Sequence, residues 1–196
     1  MEKERLKTIL SIPSVSGDES LVRNFIKEFA ESNGIVHYID TKGNIYLQKG
    51  EISEDEYYPC VVAHMDTVHR GHQTLIDKDL RIDIVESQYE ITDDTHQTVL
   101  SGKLPGTDTP TGCGGDDKCG VFVGLEMFSH FDKLKGAFFV EEEIGMLGSR
   151  EADPTFFENV GYATQFDAPS ANWITETCSG VKLFDDDFKE LIKETL

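Results

Sequence analysis

Tyr57-Tyr58-Pro59-Cys60-Val61-Val62-Ala63-His64-Met65-Asp66 is the stretch on which the fold turns. Residues 57–63 form a near-continuous apolar run, the pattern of a central strand buried on both faces. The run ends on a histidine and an aspartate two positions apart. On an extended chain those two side chains point the same way. A structural His–Asp pair at a strand end is one reading of them, and a metal ligand with its orienting carboxylate is the other.

Outward from this strand, the pattern predicts alternating helices and strands. Residues 2–11 and 19–33 carry apolar positions at helical spacing, the second set being Leu21, Val22, Phe25, Ile26 and Phe29. Ile12-Pro13-Ser14-Val15-Ser16-Gly17-Asp18 breaks them apart, with Ser16 or Asp18 expected to cap the second helix. Residues 35–40 and 44–48, split by Thr41-Lys42-Gly43, read as a hairpin. A polar excursion over 71–110 is expected to hold two short strands, near 80–85 and 88–92. Helix is expected at 117–131, a buried strand at 136–140, a short helix from 148 to 153 and a strand at 162–166. Strand-like sequence follows at 173–184, and a helix with an acidic first turn at 185–196. This order indicates an α/β fold, a three-layer sandwich with a mostly parallel central sheet.

Composition narrows the function. The 196 residues include 18 Lys+Arg and 37 Asp+Glu, a formal net charge of −19. Such a charge argues against a phosphate backbone or an anionic membrane as partner: no nucleic acid and no membrane are expected. No segment approaches the ~20 apolar residues of a membrane span. The N-terminus has no apolar signal-peptide core. Cys60, Cys113, Cys119 and Cys178 form no CxxC pair and read as free thiols in a reducing, cytoplasmic setting, with a Cys-based zinc site the weaker reading.

Three further segments repeat the theme of the first strand. In Gly112-Cys113-Gly114-Gly115-Asp116-Asp117-Lys118-Cys119-Gly120, two acids open a helix, and a capping turn is the plain alternative to a ligand site. A phosphate loop is disfavoured by the acids and by the lack of GK[ST]. Glu141-Glu142-Glu143 directly follows a buried strand, an arrangement that is costly unless a cation or a shared proton sits among the carboxylates. Ala163-Thr164-Gln165-Phe166-Asp167, the fourth segment, is again a strand ending in an acid. One His and several carboxylates at the carboxyl ends of parallel strands converge on one crevice. Nitrogen and oxygen donors without thiolates suit Zn²⁺, Mn²⁺ or Co²⁺.

The ordered set IPSVSGDE, HMDT, GGDDKCG and EEEIG resembles the zinc-dependent exopeptidases of the peptidase T type, in the wider aminopeptidase, carboxypeptidase and deacylase superfamily with co-catalytic zinc. The resemblance covers residues ~5–167 and implies a phosphorylase/hydrolase-like zinc exopeptidase core. It further implies two divalent ions, zinc first and manganese or cobalt as alternatives. His64, Asp116, Glu143 and Asp167 would be their ligands, with Asp116 bridging. Asp66 would orient His64, and Glu142 would be the general base. A cis peptide bond between Asp116 and Asp117 is part of the same pattern. The implied activity is hydrolysis of short peptides, like a tripeptide aminopeptidase. An amino-acid deacylase is the close alternative, and a non-catalytic metal-binding relative is the alternative of another class.

Two departures stand against that pattern. A second His ligand is expected from a late segment, and no His follows His130. Relatives of this type also carry a lid and dimerisation domain after the Asp167 position, whereas only residues 168–196 follow here. The expectation is therefore one catalytic domain over 1–196, incomplete at its C-terminus and without a lid, with no prediction of oligomeric state. His69 and His72 are candidates to face the cleft or to be exposed loop residues. His37, His96 and His130 read as surface residues. Asp185, Asp186 and Asp187 read as capping charge.

Overall fold

The computed structural model describes residues 2–68, 81–92, 95–168, 177–178 and 181–182. Two helices open the chain, α1 (Glu2–Leu10) and α2 (Ser20–Ser32). A five-stranded sheet follows, built from β1 (Val36–Ile39), β2 (Ile45–Lys49), β3 (Tyr58–His64), β7 (Leu134–Phe139) and β8 (Val160–Gln165), in the spatial order β1-β2-β7-β3-β8. Both pairings of β3, with β7 and with β8, are parallel. β2 runs antiparallel to both of its neighbours, so four of the five strands point the same way. The helix α3 (Gly115–His130) crosses from the outer elements back to β7. A single turn, α4 (Leu147–Arg150), and a 3-10 turn at Pro154–Phe157 connect β7 to β8. Beside the main sheet lies a separate antiparallel one of β4 (Asp83–Thr92), β5 (Thr95–Lys103) and β6 (Pro110–Thr111). A two-strand ladder joins β9 (Thr177–Cys178) and β10 (Val181–Lys182).

The core divides between the two faces of the main sheet. Period-two alternation sends Ile45 and Leu47 of β2, Val61 and Ala63 of β3, and Leu134 and Phe138 of β7 to one face. There they pack on Ile9, Val22, Ile26, Val121, Leu125 and Phe128 from α1, α2 and α3. Tyr46, Cys60, Ala137 and Phe139 point the other way, toward Phe156 of the 3-10 turn. The rings there interlock, Tyr46 lying 4.8 Å from both Tyr38 and Phe156. Burying these side chains is the main drive for the fold. No helix among the described residues is long and apolar enough to cross a membrane.

Most expected elements form close to their predicted positions, and two expectations fail. The excursion over 71–110 does not hold two short strands near 80–85 and 88–92: one ten-residue strand, β4, spans both, and it pairs with the nine-residue β5 inside the same excursion. Polar residues crowd both strands, so no apolar alternation marks their length. Neither Ser16 nor Asp18 caps α2. The capping position is Glu19, which makes no side-chain cap hydrogen bond, and the Ser16 hydroxyl is used elsewhere, on Asp66. The strand 173–184 is seen only as β9 and β10, and the helix expected over 185–196 lies outside the described residues, as do His69, His72 and the Asp185 triplet.

Candidate metal centre

Strand register builds the site. His64, the last residue of β3, pairs with Phe139, the last of β7. On the other side Val62 pairs with Gln165, so Asp167 is level with His64 two residues further on. Likewise, the acidic turn at 141–143 leaves β7 at the level of Asp66. Because the three strands are parallel, all these groups reach the same edge of the sheet, the usual ligand crevice of open α/β sheets.

His64 is buried, with its Nδ1 2.9 Å from the Asp66 main-chain oxygen and 3.3 Å from Asp66 Oδ1. Both neighbours are acceptors, so Nδ1 carries a proton and Nε2 is the nitrogen turned toward the other acids. Nε2 looks out at Asp116 Oδ1 at 3.0 Å, Asp167 Oδ2 at 3.9 Å and Glu142 Oε2 at 4.0 Å. Donor atoms of His64, Asp116 and Glu143 lie within 4.8 Å of one another, as do those of His64, Asp117 and Asp167. His64 is the only histidine in either grouping among the described residues. All six residues singled out from sequence therefore meet at one place, while His37 and His130 do not join them.

Asp66, fully buried, is the hub of this edge. Its carboxylate accepts from Ser16 Oγ at 2.7 Å and from the backbone N–H of Glu142 at 2.9 Å and Glu143 at 3.1 Å. Burial alone would raise its pKa, but His64 and these donors outweigh it and hold the carboxyl down to about 2. For His64, burial opposes the charged form. The facing carboxylates of Asp66, Asp117 and Asp167 overcome that and lift it to about 9. The remaining acids move upward. Burial, then the neighbouring acids, raises Glu142 and Glu143. Burial followed by Asp116 raises Asp167, and burial takes Asp117 up to about 7.

Asp117 is the residue that sequence reading undervalued. It is 1% exposed and accepts from His64 N at 3.2 Å and Gly120 N at 3.0 Å. Asp116 and Asp117 have non-helical backbone angles, so the regular part of α3 starts after them and Asp117 is its true N-cap. The peptide bond between them is cis, as the resemblance implied. A glycine three residues after an acid that opens a helix was the available signal. A Cβ at Gly120 would sit 2.1 Å from Asp117 Oδ1, so no larger residue leaves room for this cap. Gly114, at φ 65°, brings the chain against Thr67, where a Cβ would lie 2.4 Å away. Lys118, fully buried, donates to the carbonyls of Leu10, Ile12 and Cys113 at 3.4, 2.5 and 3.0 Å, and so ties α3 to the segment after α1.

Solved structures similar to this chain include peptidases. A tripeptidase from Staphylococcus aureus subsp. aureus Mu50 superposes with a TM-score of 0.63 at 19% identity, over 86% of this chain and 43% of its own. Aminopeptidase PepT from Bacillus cereus ATCC 10987 gives 0.57 at 17%, over 83% and 41%. Aminoacylhistidine dipeptidase from Vibrio alginolyticus gives 0.53 at 20%, over 76% and 29%. The chain thus spans less than half the length of each, and at these identities the likeness is one of fold. No protein-family model matches the chain, and no curated protein matches it.

Proposed function

We propose that this chain is the catalytic part of a metal-dependent hydrolase of amide bonds in short peptides, acting as an aminopeptidase or tripeptidase. The observation that carries this is the Nε2 of the buried His64, whose Nδ1 is held by Asp66, facing Asp116, Asp167 and Glu142 within 4.0 Å. One imidazole nitrogen and several oxygens, drawn from neighbouring strand ends, are a donor set that fits divalent zinc, with manganese or cobalt as alternatives. The upward shifts of Glu142, Glu143 and Asp167, caused by burial and then by the neighbouring acids, support the same reading, since a cation among them would relieve both.

His64, Asp116 and Asp167 would hold one ion, and Asp116 with Glu143 a second. When bound, the metals polarise the scissile carbonyl and acidify the attacking water. Glu142 takes the proton of that water and returns it to the leaving amine. Asp66 keeps Nδ1 protonated and its own carboxylate charged, which strengthens Nε2 as a ligand. The free thiols of Cys60, Cys113 and Cys119 are consistent with a reducing, cytoplasmic location.

Metal analysis with hydrolysis of a tripeptide and of an N-acyl amino acid tests the reading. Turnover of the tripeptide that is lost on chelation and restored by zinc is expected. Preference for the acyl substrate would make the chain a deacylase. Bound metal without turnover of either substrate would place it with the non-catalytic metal binders.

A further inference from the structure

The segment between α1 and α2 supplies no ligand, yet it touches the His64–Asp66 strand end, the start of α3 and the acidic turn at 141–143. Ser14 Oγ donates to the Met65 carbonyl, and Thr67 N returns a bond to Ser14 O at 2.8 Å. Lys118, next to the Asp pair, holds the carbonyls of Leu10 and Ile12. The acidic turn is gripped most closely. Its three successive backbone amides all end on buried carboxylates: Glu141 N on Glu19 Oε1 at 3.2 Å, Glu142 N on Asp66 Oδ1, and Glu143 N on Asp66 Oδ2. Ser16 braces that same Asp66 oxygen.

Glu19 is the unusual member. It occupies the N-cap position of α2 but makes no side-chain cap bond there. Instead its carboxylate, only 4% exposed, reaches a turn 122 residues away and also takes Gly17 N at 2.7 Å. A carboxylate is costly to bury unless it satisfies donors that need it. The turn needs such an anchor, because Glu141 sits at φ 53°, a left-handed conformation that a non-glycine residue seldom keeps unaided.

We propose that Glu19, seconded by Ser16, is a positioning residue that fixes the backbone of the 141–143 turn and so aims Glu142 at the space beside His64 Nε2. This rests on the reading of Glu142 as the general base. The test uses the full 196-residue chain reconstituted with zinc, as wild type, Glu19→Ala, Glu19→Gln and Ser16→Ala. A misplacement of about 1 Å costs roughly 100-fold in rate, so Glu19→Ala should lose about that factor in kcat, with KM and zinc stoichiometry unchanged. Glu19→Gln keeps an oxygen for the same two N–H groups and should recover most of the loss. Ser16→Ala should fall between wild type and Glu19→Ala.

Residue-resolved amide hydrogen exchange gives a readout that needs no turnover. Exchange should quicken at Glu141 in Glu19→Ala, and at Glu142 and Glu143 in Ser16→Ala. Unchanged exchange or unchanged kcat in Glu19→Ala overturns the proposal, as does a Glu19→Gln variant that folds yet is equally impaired, or a loss of kcat that merely tracks lost zinc. Should Glu19→Ala fail to fold, Ser16→Ala decides, and unchanged exchange there is fatal. A wild type without turnover but with the predicted exchange pattern refutes the hydrolase reading and leaves the anchoring intact.

Discussion

The carboxyl edge of the main sheet and the β4–β5–β6 sheet are both rich in acids, and they treat them oppositely. In the smaller sheet, among the described residues, each acid with a shifted pKa already has a cation. Glu86 meets Lys3 and Lys7, Asp108 meets Lys103, and both carboxyls are held below their usual range by those ammonium groups. At the strand ends burial first, and then the neighbouring acids, push Glu142, Glu143, Asp117 and Asp167 up against the opposing pull of His64. Like charges packed without a counter-ion are poised to take one. Acidic content therefore says little by itself; what separates the two regions is whether the fold brings a base to each acid.

The sharpest way to break this contrast is to remove one acid from each region. Glu142→Ala should lower kcat by about 10²–10⁴-fold, the usual worth of a general base, with bound metal retained. Glu86→Ala should leave kcat within about twofold, since that carboxylate pairs with Lys3 and Lys7 and not, among the described residues, with any group of the strand-end site. Steady-state kinetics on a tripeptide with parallel metal analysis decides this. Equal effects at the two sites would mean that the strand-end acids have no chemical role.

Metal binding should follow the same division. A ligand present at about 100 times its Kd adds roughly 2.7 kcal/mol to folding. In a chain of this size that is roughly 5–11 °C in Tm. Zinc should raise the Tm of wild type by that order, and Asp116→Asn should remove most of the rise. Asp108→Asn should leave it in place. A zinc-induced shift that survives Asp116→Asn would move the binding site away from the strand ends.

Lys118 extends the contrast to a base. It is buried against three carbonyls, whereas Lys3 lies half-exposed over Glu86. Buried carbonyls stripped of their donor cost about 1–3 kcal/mol. Lys118→Met should therefore destabilise the chain by about 2 kcal/mol, or roughly 4–8 °C in Tm, while Lys3→Met should not move Tm measurably. Thermal unfolding of the two variants against wild type measures the difference.

Much of this was legible in the sequence because the decisive signals are local. A buried strand declares itself by its apolar run, and the two such runs, β3 and β7, stop on residues that meet at the site: His64 and Asp66, then the Glu141 triplet. Helix α3 and its two acids were equally visible. The contacts that are long in sequence were not. The bond from Ser16 to Asp66 spans 50 residues and that from Glu19 to the Glu141 amide spans 122. Locally, Ser16 reads as a helix cap, and only the tertiary fold diverts it. The β4–β5 hairpin escaped for a different reason: its polar faces leave no period-two apolar trace, and its ladder is held by backbone pairing that any side chain permits.

The smallest expected effect is in the pH profile of stability, and there the two regions should pull in opposite directions. Asp117, raised by burial from 3.8 to about 7, favours the folded state when protonated. Its contribution is complete below about pH 4 and is lost as pH climbs through 7. His64, lifted from 6.5 to about 9 against its own burial, stabilises below 6.5 and loses that as pH rises through 9. The hairpin acids, lowered by their lysines, act the other way, contributing above their ordinary range and losing it as pH falls. The metal-free chain should therefore lose Tm steadily from pH 5 to 9. Saturating zinc should flatten that slope, because the ion takes the place of the site's protons. The double variant Glu86→Gln/Asp108→Asn should leave the slope over pH 5–9 as it is and change only the acid limb. A slope that follows the hairpin variant rather than the metal would assign the titration to the wrong end of the molecule, and with it the distinction between acids that await a cation and acids that already have one.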